Sequence, residues 1–279
     1  MHCASLQSPH FTDNDAMRPA PYRTPEQSAQ AFLTPRRSTR AAAPFLPEAR
    51  TVVVDGPVGK LVGRLVGEGP CVLLLHRWEG AASELGNFVP PLLAAGFSVL
   101  ALDLPAHGAS EGEQVSIPMA AKALLMLQDE LGPQHRFHAG IGHSLGAAVL
   151  IHAMALGCRI DRAALLAAPA HAEDYVRDYC LRDGLDDAQT EQMLDILRDE
   201  HGVDIRAISM PVHATRLSQP ALFVHADDDR VIPHAASVLT ASHWRGAELM
   251  TVQGLGHARL LRDPGVVARV TAFVSATTD

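Results

Sequence analysis

A repeated alternation of short apolar runs with longer helix-like segments, beginning near residue 51, restricts the possible folds of this chain more than any other feature. The runs lie at residues 51–54, 60–66, 71–75, 97–102, 137–141, 163–167, 221–224 and 248–252. Strand, helix and strand in repetition predict a mostly parallel sheet with helices on both faces. The first two runs predict an antiparallel opening. We therefore expect an α/β fold built on one eight-stranded sheet.

The first 48 residues fall outside this alternation. They are rich in Pro, Ser, Thr and Arg, a composition that cannot bury enough apolar surface to fold alone. We expect a flexible N-terminal extension over residues 1–48, partly packed as a short helix around 26–33. An anchor for acidic partners or for a membrane is the alternative interpretation. The main domain then covers residues 49–279.

A second departure separates the apolar runs at 163–167 and 221–224, where about fifty residues replace the usual short connection. This interval contains two helical patterns. Asp187 is the expected N-cap of the second one, and Gly202 is its expected stop. An insertion here would lie over the carboxyl ends of the strands, where open α/β sheets bind ligands. We predict a small helical cap at about residues 170–218.

Composition and charge argue against several classes of function. The chain of 279 residues carries a net charge of −8, so it lacks the basic field of nucleic-acid-binding proteins and we expect no nucleic-acid partner. Its four cysteines form neither a CxxC pair nor a disulfide scaffold, which indicates reduced thiols and a cytoplasmic setting. No signal peptide is recognisable, and no segment approaches the roughly 20 apolar residues that cross a bilayer. We therefore expect no stable membrane insertion.

The motif GxSxG, which presents a nucleophilic serine on a sharp strand-to-helix turn, occurs twice. GHSLG at 142–146 follows an apolar run and precedes an Ala-rich, helix-forming segment that ends at Gly157. In GASEG at 108–112, Ser110 lies past a Pro and a Gly and is followed by polar residues, as in a loop. The succession of strand, turn and helix predicts Ser144 as the nucleophile, and Ser110 as a loop serine.

A serine nucleophile needs a general base, and the base needs a carboxylate that holds its tautomer. His257 stands in a glycine-containing segment directly after the last apolar run and is the predicted base; an exposed loop histidine is the alternative. Asp227, Asp228 and Asp229 follow the run at 221–224, and one of them should orient His257. The other two would form a solvated turn or a weak metal site. We expect no metal, because no cluster has ligand spacing.

The chain resembles the esterase-like and lipase-like serine hydrolases of the α/β-hydrolase fold over about residues 51–279. Five of its segments are similar to motifs of that family and occur in the family's order. They are GHSLG at 142–146, HRW at 76–78 (similar to the family's His-Gly-x oxyanion turn), DLPAHGAS at 103–110 (similar to D-x-P-G-H-G-x-S), ADDDRVIP at 226–233 (similar to G-x-x-D-x-x-V-P) and GHARLL at 256–261 (similar to G-H-x-x-x-L). The resemblance assigns Ser110 to a structural loop and selects Asp229 as the acid.

The resemblance implies a function and a mechanism. Ser144 would attack an acyl carbonyl, His257 would carry the proton to the leaving group, and Asp229 would hold the imidazolium. The backbone N–H groups of Trp78 and Leu145 would form the oxyanion hole. The expected substrate is a small carboxylic ester or thioester, and no cofactor is implied.

Arg77 departs from the family, which usually has Gly at this place in the oxyanion turn. Its guanidinium either faces the pocket and pairs with an anionic group of the substrate, or turns outward to a surface acid. Ala106 replaces a second glycine of the family. In the cap, Tyr175 and Tyr179 are spaced i, i+4 and either line an acyl pocket or pack within the cap.

Two other functions stay open at this point. Acyl transfer would use the same three residues with water excluded. Ligand binding without turnover is also possible, since a fold does not determine a function. The complete set of Ser144, Asp229 and His257 argues against the non-catalytic alternative.

Overall fold

The computed structural model describes residues 23–37, 48–132 and 134–276. Its strands are β1 (Arg50–Gly56), β2 (Gly59–Val66), β3 (Cys71–Leu75), β4 (Ser98–Leu102), β5 (Ala139–His143), β6 (Ala163–Leu166), β7 (Ala221–Ala226) and β8 (Glu248–Val252). Its α-helices are α1 (Pro25–Leu33), α2 (Val89–Ala94), α3 (Ile117–Glu130), α4 (Leu145–Ala155), α5 (Ala172–Asp183), α6 (Asp187–Asp199), α7 (Met210–Ala214), α8 (His234–Ser242), α9 (Gly256–Arg259) and α10 (Pro264–Ser275). Short 3-10 helices lie at Ala82–Phe88 and Ile205–Ala207.

The strands form one eight-stranded sheet in the order β1-β2-β4-β3-β5-β6-β7-β8. β2 pairs antiparallel with both β1 and β4, and the remaining neighbours are parallel. Val72 in the middle of the sheet lies opposite Val99 in β4 and Ala139 in β5. The predicted antiparallel opening and the mostly parallel α/β sheet are both confirmed.

Two apolar cores, one on each face of the sheet, account for the uninterrupted apolar runs of the sequence. In β3, Leu73 and Leu75 join the core on the face of α3 and α4, whereas Val72 and Leu74 join the core on the face of α2 and α10. All four side chains are fully buried. Because successive side chains of a strand point to opposite faces, a strand covered on both sides must be apolar at each position. The prediction of helices on both faces is confirmed.

Two local predictions were wrong in detail. β5 begins at Ala139 rather than at residue 137, because Phe137 forms only an isolated bridge with Ile160. The N-cap of α6 is Asp186 rather than Asp187. The Asp186 carboxylate accepts from the Gln189 N–H at 2.8 Å, and the Gln189 side chain accepts from the Asp186 N–H at 3.0 Å. This reciprocal capping box satisfies two backbone donors, whereas a cap one residue later would lose it.

The predicted extension and cap contact each other. α5, α6 and α7 occupy the interval between β6 and β7, and α1 packs against α5 and α6 through the buried Ala29 and Leu33. Thr24 begins α1 with a capping box to Gln27. Residues 1–22 and 38–47 of the predicted extension lie outside the described residues. Among the described residues, no helix has the length and apolar character needed to cross a membrane.

Candidate active site

Ser144 occupies a strained turn between β5 and α4. Its backbone has φ 55° and ψ −116°, a combination that residues with a side chain rarely adopt. The Ser144 N–H donates to the Leu166 carbonyl at 2.9 Å, which joins the turn to the neighbouring strand β6. Such a turn presents the serine hydroxyl at the carboxyl edge of the sheet. The succession of strand, turn and helix that was predicted for residues 142–146 is therefore present.

The glycines on either side of Ser144 are required by close backbone contacts. A Cβ on Gly146 would lie 2.3 Å from the carbonyl oxygen of Leu75 and 2.8 Å from that of His76. A Cβ on Gly142 would lie 2.6 Å from the carbonyl carbon of Gly146. The first turn of α4 thus packs directly against the end of β3, which brings the serine close to the turn that follows β3.

Asp229 and His257 form a hydrogen-bonded pair at the same edge of the sheet. The Nδ1–H of His257 donates to Oδ2 of Asp229 at 2.8 Å. The other carboxylate oxygen, Oδ1, accepts from the N–H groups of Val231 at 2.8 Å and Ile232 at 3.0 Å. With its proton on Nδ1, His257 has Nε2 available as a base. The structure thus brings together the predicted base and the carboxylate selected from three candidates.

A second histidine contacts the same carboxylate. Nε2 of the fully buried His225 lies 3.3 Å from Oδ2 of Asp229 and donates to the Ile232 carbonyl at 2.9 Å. Burial acts to raise the pKa of Asp229, but the hydrogen bonds from His225 and His257 outweigh it and hold that pKa well below its ordinary value. Asp229 is therefore an ionised carboxylate. His225 was not singled out from the sequence, because its position inside β7 makes it look like a core residue.

His143 joins the turn of Ser144 to the loop of His257. Its Nε2–H donates to the carbonyl oxygen of His257 at 2.8 Å, and the two ring centroids are 4.7 Å apart. Burial and the neighbouring His257 lower the pKa of His143 to about 3, so its ring is neutral at pH 7. Within the described residues no hydrogen bond connects the Ser144 hydroxyl with the His257 ring. In enzymes without bound substrate this bond is often long, and it tightens in the complex.

The two other carboxylates of the run hold the backbone of the histidine loop. Oδ1 of Asp228 accepts from the Gly256 N–H at 2.7 Å, and Oδ1 of Asp227 accepts from the Gly254 N–H at 3.3 Å. The sequence alternatives for these residues were a solvated turn or a weak metal site. Across residues 23–37, 48–132 and 134–276, no group of three or more His, Cys, Asp and Glu side chains is placed to hold a metal ion.

Two buried histidines tie the turn after β3 to the loop after β4. His76 donates through Nδ1 to the Arg77 carbonyl at 2.7 Å and accepts at Nε2 from the Leu104 N–H at 3.0 Å. His107 accepts at Nε2 from the Glu79 N–H at 3.0 Å. Burial, together with the nearby His107, lowers the pKa of His76 to about 3. Both rings are therefore structural rather than basic groups.

The predicted oxyanion donors lie on this turn and at the start of α4. In the described part of the chain, the N–H groups of Trp78 and Leu145 donate to no other protein group. The side chain of Arg77 lies between Trp78 and Glu84: its guanidinium pairs with Glu84 at 2.9 Å and donates to the Trp78 carbonyl at 3.1 Å. This ion pair agrees with the alternative in which the Arg77 guanidinium turns outward to an acid. It does not agree with the alternative in which the guanidinium faces the pocket.

Ser110, the serine of the second GxSxG motif, is a structural residue. Its buried hydroxyl donates to the Asp103 carbonyl at 2.6 Å and accepts from the Val62 N–H at 2.9 Å. Both of these contacts stabilise the loop after β4 against β2. The prediction of a loop serine is confirmed.

Of the two cap tyrosines, Tyr179 packs against α1. Its ring meets that of Phe32 edge to face, with centroids 5.3 Å apart. Tyr179 therefore packs against the N-terminal extension, a contact that neither sequence alternative anticipated. Tyr175 lies one turn earlier in α5 and is half-buried.

A model of the alpha/beta hydrolase family matches residues 72–270. The chain belongs to the α/β-hydrolase family. Among its sequence relatives is a pimeloyl-[acyl-carrier protein] methyl ester esterase of Xanthomonas campestris pv. campestris, which is 26% identical over 257 residues, covering 76% of this chain and 98% of that protein. This α/β hydrolase also resembles solved esterases. The Pyrococcus furiosus esterase Pf2001 has a TM-score of 0.68 at 19% identity, covering 87% of this chain and 98% of that one.

A second solved structure, Est1E of Butyrivibrio proteoclasticus with bound ferulic acid, has a TM-score of 0.63 at 18% identity. The match covers 80% of this α/β hydrolase and 96% of that chain. At such identities the structural likeness supports the fold alone. The predicted fold class and family are both confirmed.

Proposed function

We propose that this α/β hydrolase is a serine esterase that cleaves a small carboxylic ester or thioester through an acyl-enzyme on Ser144. The hydrogen bond of 2.8 Å between the buried Asp229 and His257, beside the strained turn of Ser144, carries this proposal. A carboxylate with a perturbed pKa that meets a nucleophile turn at the carboxyl edge of a sheet is typical of catalytic sites. The names of the relatives, which are esterases, agree with it.

In the acylation step, Ser144 Oγ attacks the carbonyl carbon of the ester. Nε2 of His257 takes the hydroxyl proton, and the charge of Asp229 stabilises the imidazolium that results. The tetrahedral intermediate then collapses, the bond to the leaving oxygen or sulfur breaks, and His257 returns the proton to the leaving group. In the second step, a water molecule replaces Ser144 and repeats the sequence, releasing the carboxylic acid.

The negative charge of each tetrahedral intermediate would be bound by the N–H groups of Trp78 and Leu145. Neither group is occupied by another described protein acceptor. Loss of one such donor typically costs about 3 kcal/mol of transition-state stabilisation. The Leu145 donor also lies at the N-terminus of α4, where the helix dipole favours negative charge.

The segment at about 170–218 is proposed as the cap over this site, and Tyr175 of α5 as one wall of the acyl pocket. Burial raises the pKa of Tyr175, and the charges of Asp174 and Asp229 raise it further. The hydroxyl is therefore neutral and lies within electrostatic range of the catalytic carboxylate. The apolar ring of Tyr175 and its polar hydroxyl together suit contact with an acyl chain.

A cytoplasmic setting is part of the same proposal. Cys71, Cys158 and Cys180 are free thiols, as expected in a reducing compartment. Burial raises the pKa of Cys71 to about 11 and that of Cys158 to about 12, so these thiols are protonated and unreactive.

Hydrolysis of p-nitrophenyl esters of increasing chain length tests the proposal. Wild type should release free acid, and Asp229→Asn should lower kcat by about 10⁴-fold, because the exchanged amide stabilises the wrong tautomer of His257. Addition of an alcohol acceptor distinguishes the alternatives. Formation of a new ester in place of the acid would indicate acyl transfer, and absence of any turnover or acylation would contradict an enzymatic function.

A further inference from the structure

Residues 23–37, which we call the N-terminal strap, precede the part of the chain that matches the family model. The strap contacts both α5 and the loop after β4. The first end of the strap holds the cap. Arg23 pairs with Asp183 of α5 at 2.7 Å, and the buried Ser28 hydroxyl donates to the same carboxylate. Phe32 contacts Tyr179, as described above. The first end is thus bound to α5.

The second end of the strap binds the loop after β4 through hydrogen bonds. The Arg37 guanidinium donates to three carbonyl oxygens of that loop: Gly108 at 2.9 Å, Ser110 at 2.8 Å and Gly112 at 2.8 Å. One guanidinium that satisfies three carbonyls of a single loop fixes the loop's shape, because its donors lie in one rigid plane. Arg36 adds a contact, donating through its backbone N–H and its Nε to the Glu79 carboxylate, both at 3.1 Å.

The loop that Arg37 binds is hydrogen-bonded to the oxyanion turn. Three hydrogen bonds join residues 76–82 to residues 103–107. The His76 ring accepts from the Leu104 N–H, and the His107 ring accepts from the Glu79 N–H. The Asp103 carboxylate accepts from the Ala82 N–H at 2.8 Å. A displacement of the loop would therefore move the turn that contains Trp78. Arg37 acts on the Trp78 N–H through these bonds and does not touch it.

Both segments contain backbone that needs such support. Glu79 has φ 54° and Ala106 has φ 64°, in the left-handed region that residues with a Cβ avoid. Conformations of this kind persist only where surrounding contacts hold them. Arg36 binds the side chain of Glu79, and Arg37 binds the loop that contains Ala106.

We propose that Arg37 is a positioning residue for ester hydrolysis, which fixes the loop after β4 and, through it, the Trp78 donor of the oxyanion hole. This inference rests on the proposed function, since it concerns the same site. A misplaced donor weakens the binding of the transition state more than the binding of the substrate. Loss of Arg37 should therefore lower kcat and leave KM nearly constant.

Kinetics of Arg37→Ala and Arg37→Lys on a p-nitrophenyl ester test the proposal, with Arg23→Ala as the matched control from the other end of the strap. For Arg37→Ala we expect a kcat about tenfold lower, a part of the loss expected for a missing donor, and a KM within about twofold of wild type. Arg37→Lys should lie between, because an ammonium cannot span three carbonyls. Arg23→Ala should keep the wild-type kcat, although it removes an ion pair of the same segment.

Hydrogen exchange of residues 76–84, followed by mass spectrometry, provides a readout that needs no turnover. Exchange should become faster in Arg37→Ala and remain unchanged in Arg23→Ala. If Arg37→Ala does not fold, Arg37→Lys serves for both measurements. Wild-type kcat and wild-type exchange in the Arg37 variants would overturn the proposal, and so would an equal loss of kcat in Arg23→Ala. If the wild type itself shows no turnover, the proposed function fails, and the exchange data then decide whether Arg37 braces the turn.

Discussion

A substitution of Gly146, which contacts β3, gives the most direct structural perturbation of the turn that presents Ser144. In Gly146→Ala the added Cβ would lie 2.3 Å from the oxygen and 2.7 Å from the carbon of the Leu75 carbonyl, whereas ordinary Cβ contacts begin near 3.4 Å. Leu75 cannot rotate away, because its backbone pairs with Gly142 in β5 and with Leu102 in β4. The substitution therefore requires α4 to move from the sheet by about 1 Å in a densely packed core.

Overpacking by one carbon atom typically costs about 1–3 kcal/mol. We expect the upper end of this range, about 3 kcal/mol, since backbone rather than a flexible side chain must move. For a domain of this size that corresponds to a loss of roughly 6 °C in Tm. Gly86→Ala is the matched control, because its added Cβ meets nothing within 4 Å. The control should be neutral or stabilising by about 0.5 kcal/mol, through a smaller entropy of the unfolded chain.

Thermal unfolding followed by circular dichroism, together with kcat/KM on a p-nitrophenyl ester, measures both effects. Gly146→Ala should lose stability and most of its activity, because the shift of α4 displaces both Ser144 and the Leu145 N–H. If Gly146→Ala unfolds at the same temperature as Gly86→Ala and keeps wild-type activity, the close approach of α4 to β3 is wrong.

Three further predictions concern other parts of the molecule. Ser110→Ala leaves the Val62 N–H without its acceptor and should lower the free energy of unfolding by about 1–3 kcal/mol in denaturant titrations, while a fluorophosphonate still labels the protein. His76 and His143 have pKa values of about 3 against an ordinary 6.5, so the unfolded state binds more protons below pH 6.5. Their contribution to stability is complete above pH 6.5 and should fall by roughly 1 kcal/mol for each histidine by pH 5.5, as measured by urea unfolding. Arg77→Gly removes the pair with Glu84 and should leave the ratio of kcat/KM for anionic and neutral esters unchanged.

Each of these has a contrary outcome. A Ser110→Ala protein that is as stable as wild type would contradict the bonded loop serine, and one that is no longer labelled would reopen the choice of nucleophile. Equal stability at pH 5.5 and 7.5 would contradict the buried, neutral His76 and His143. A loss of preference for anionic esters in Arg77→Gly would place that guanidinium in the pocket.

Much of the fold could be predicted because the signals are local. A strand such as β3, apolar at each position, requires cover on both faces, and this requirement alone gives the layered architecture. Ser144 could be separated from Ser110 because strand, turn and helix are contiguous in sequence. The start of β5 and the N-cap at Asp186 depend on hydrogen bonds to particular neighbours, and apolar patterning does not encode these.

The parts of the site that sequence reasoning missed depend on contacts between distant residues. His143 bonds to His257, which lies 114 positions away, and neither local sequence specifies that bond. His225 has the sequence context of a core strand, yet it contacts the carboxylate of Asp229, the proposed catalytic acid. Asp227 and Asp228 were recognised as candidates for the acid, but their bonds to the loop of His257 became visible only in three dimensions. The signal that could have suggested them is the density of polar residues at the end of β7.

The central claim is that Ser144 is the nucleophile of a serine hydrolase. Reaction of the folded protein with a fluorophosphonate, followed by digestion and mass spectrometry, tests it most directly. We expect one phosphonylated serine, Ser144, with labelling abolished in Ser144→Ala and retained in Ser110→Ala. Absence of labelling in the folded wild type, or a label on a different residue, would contradict the account.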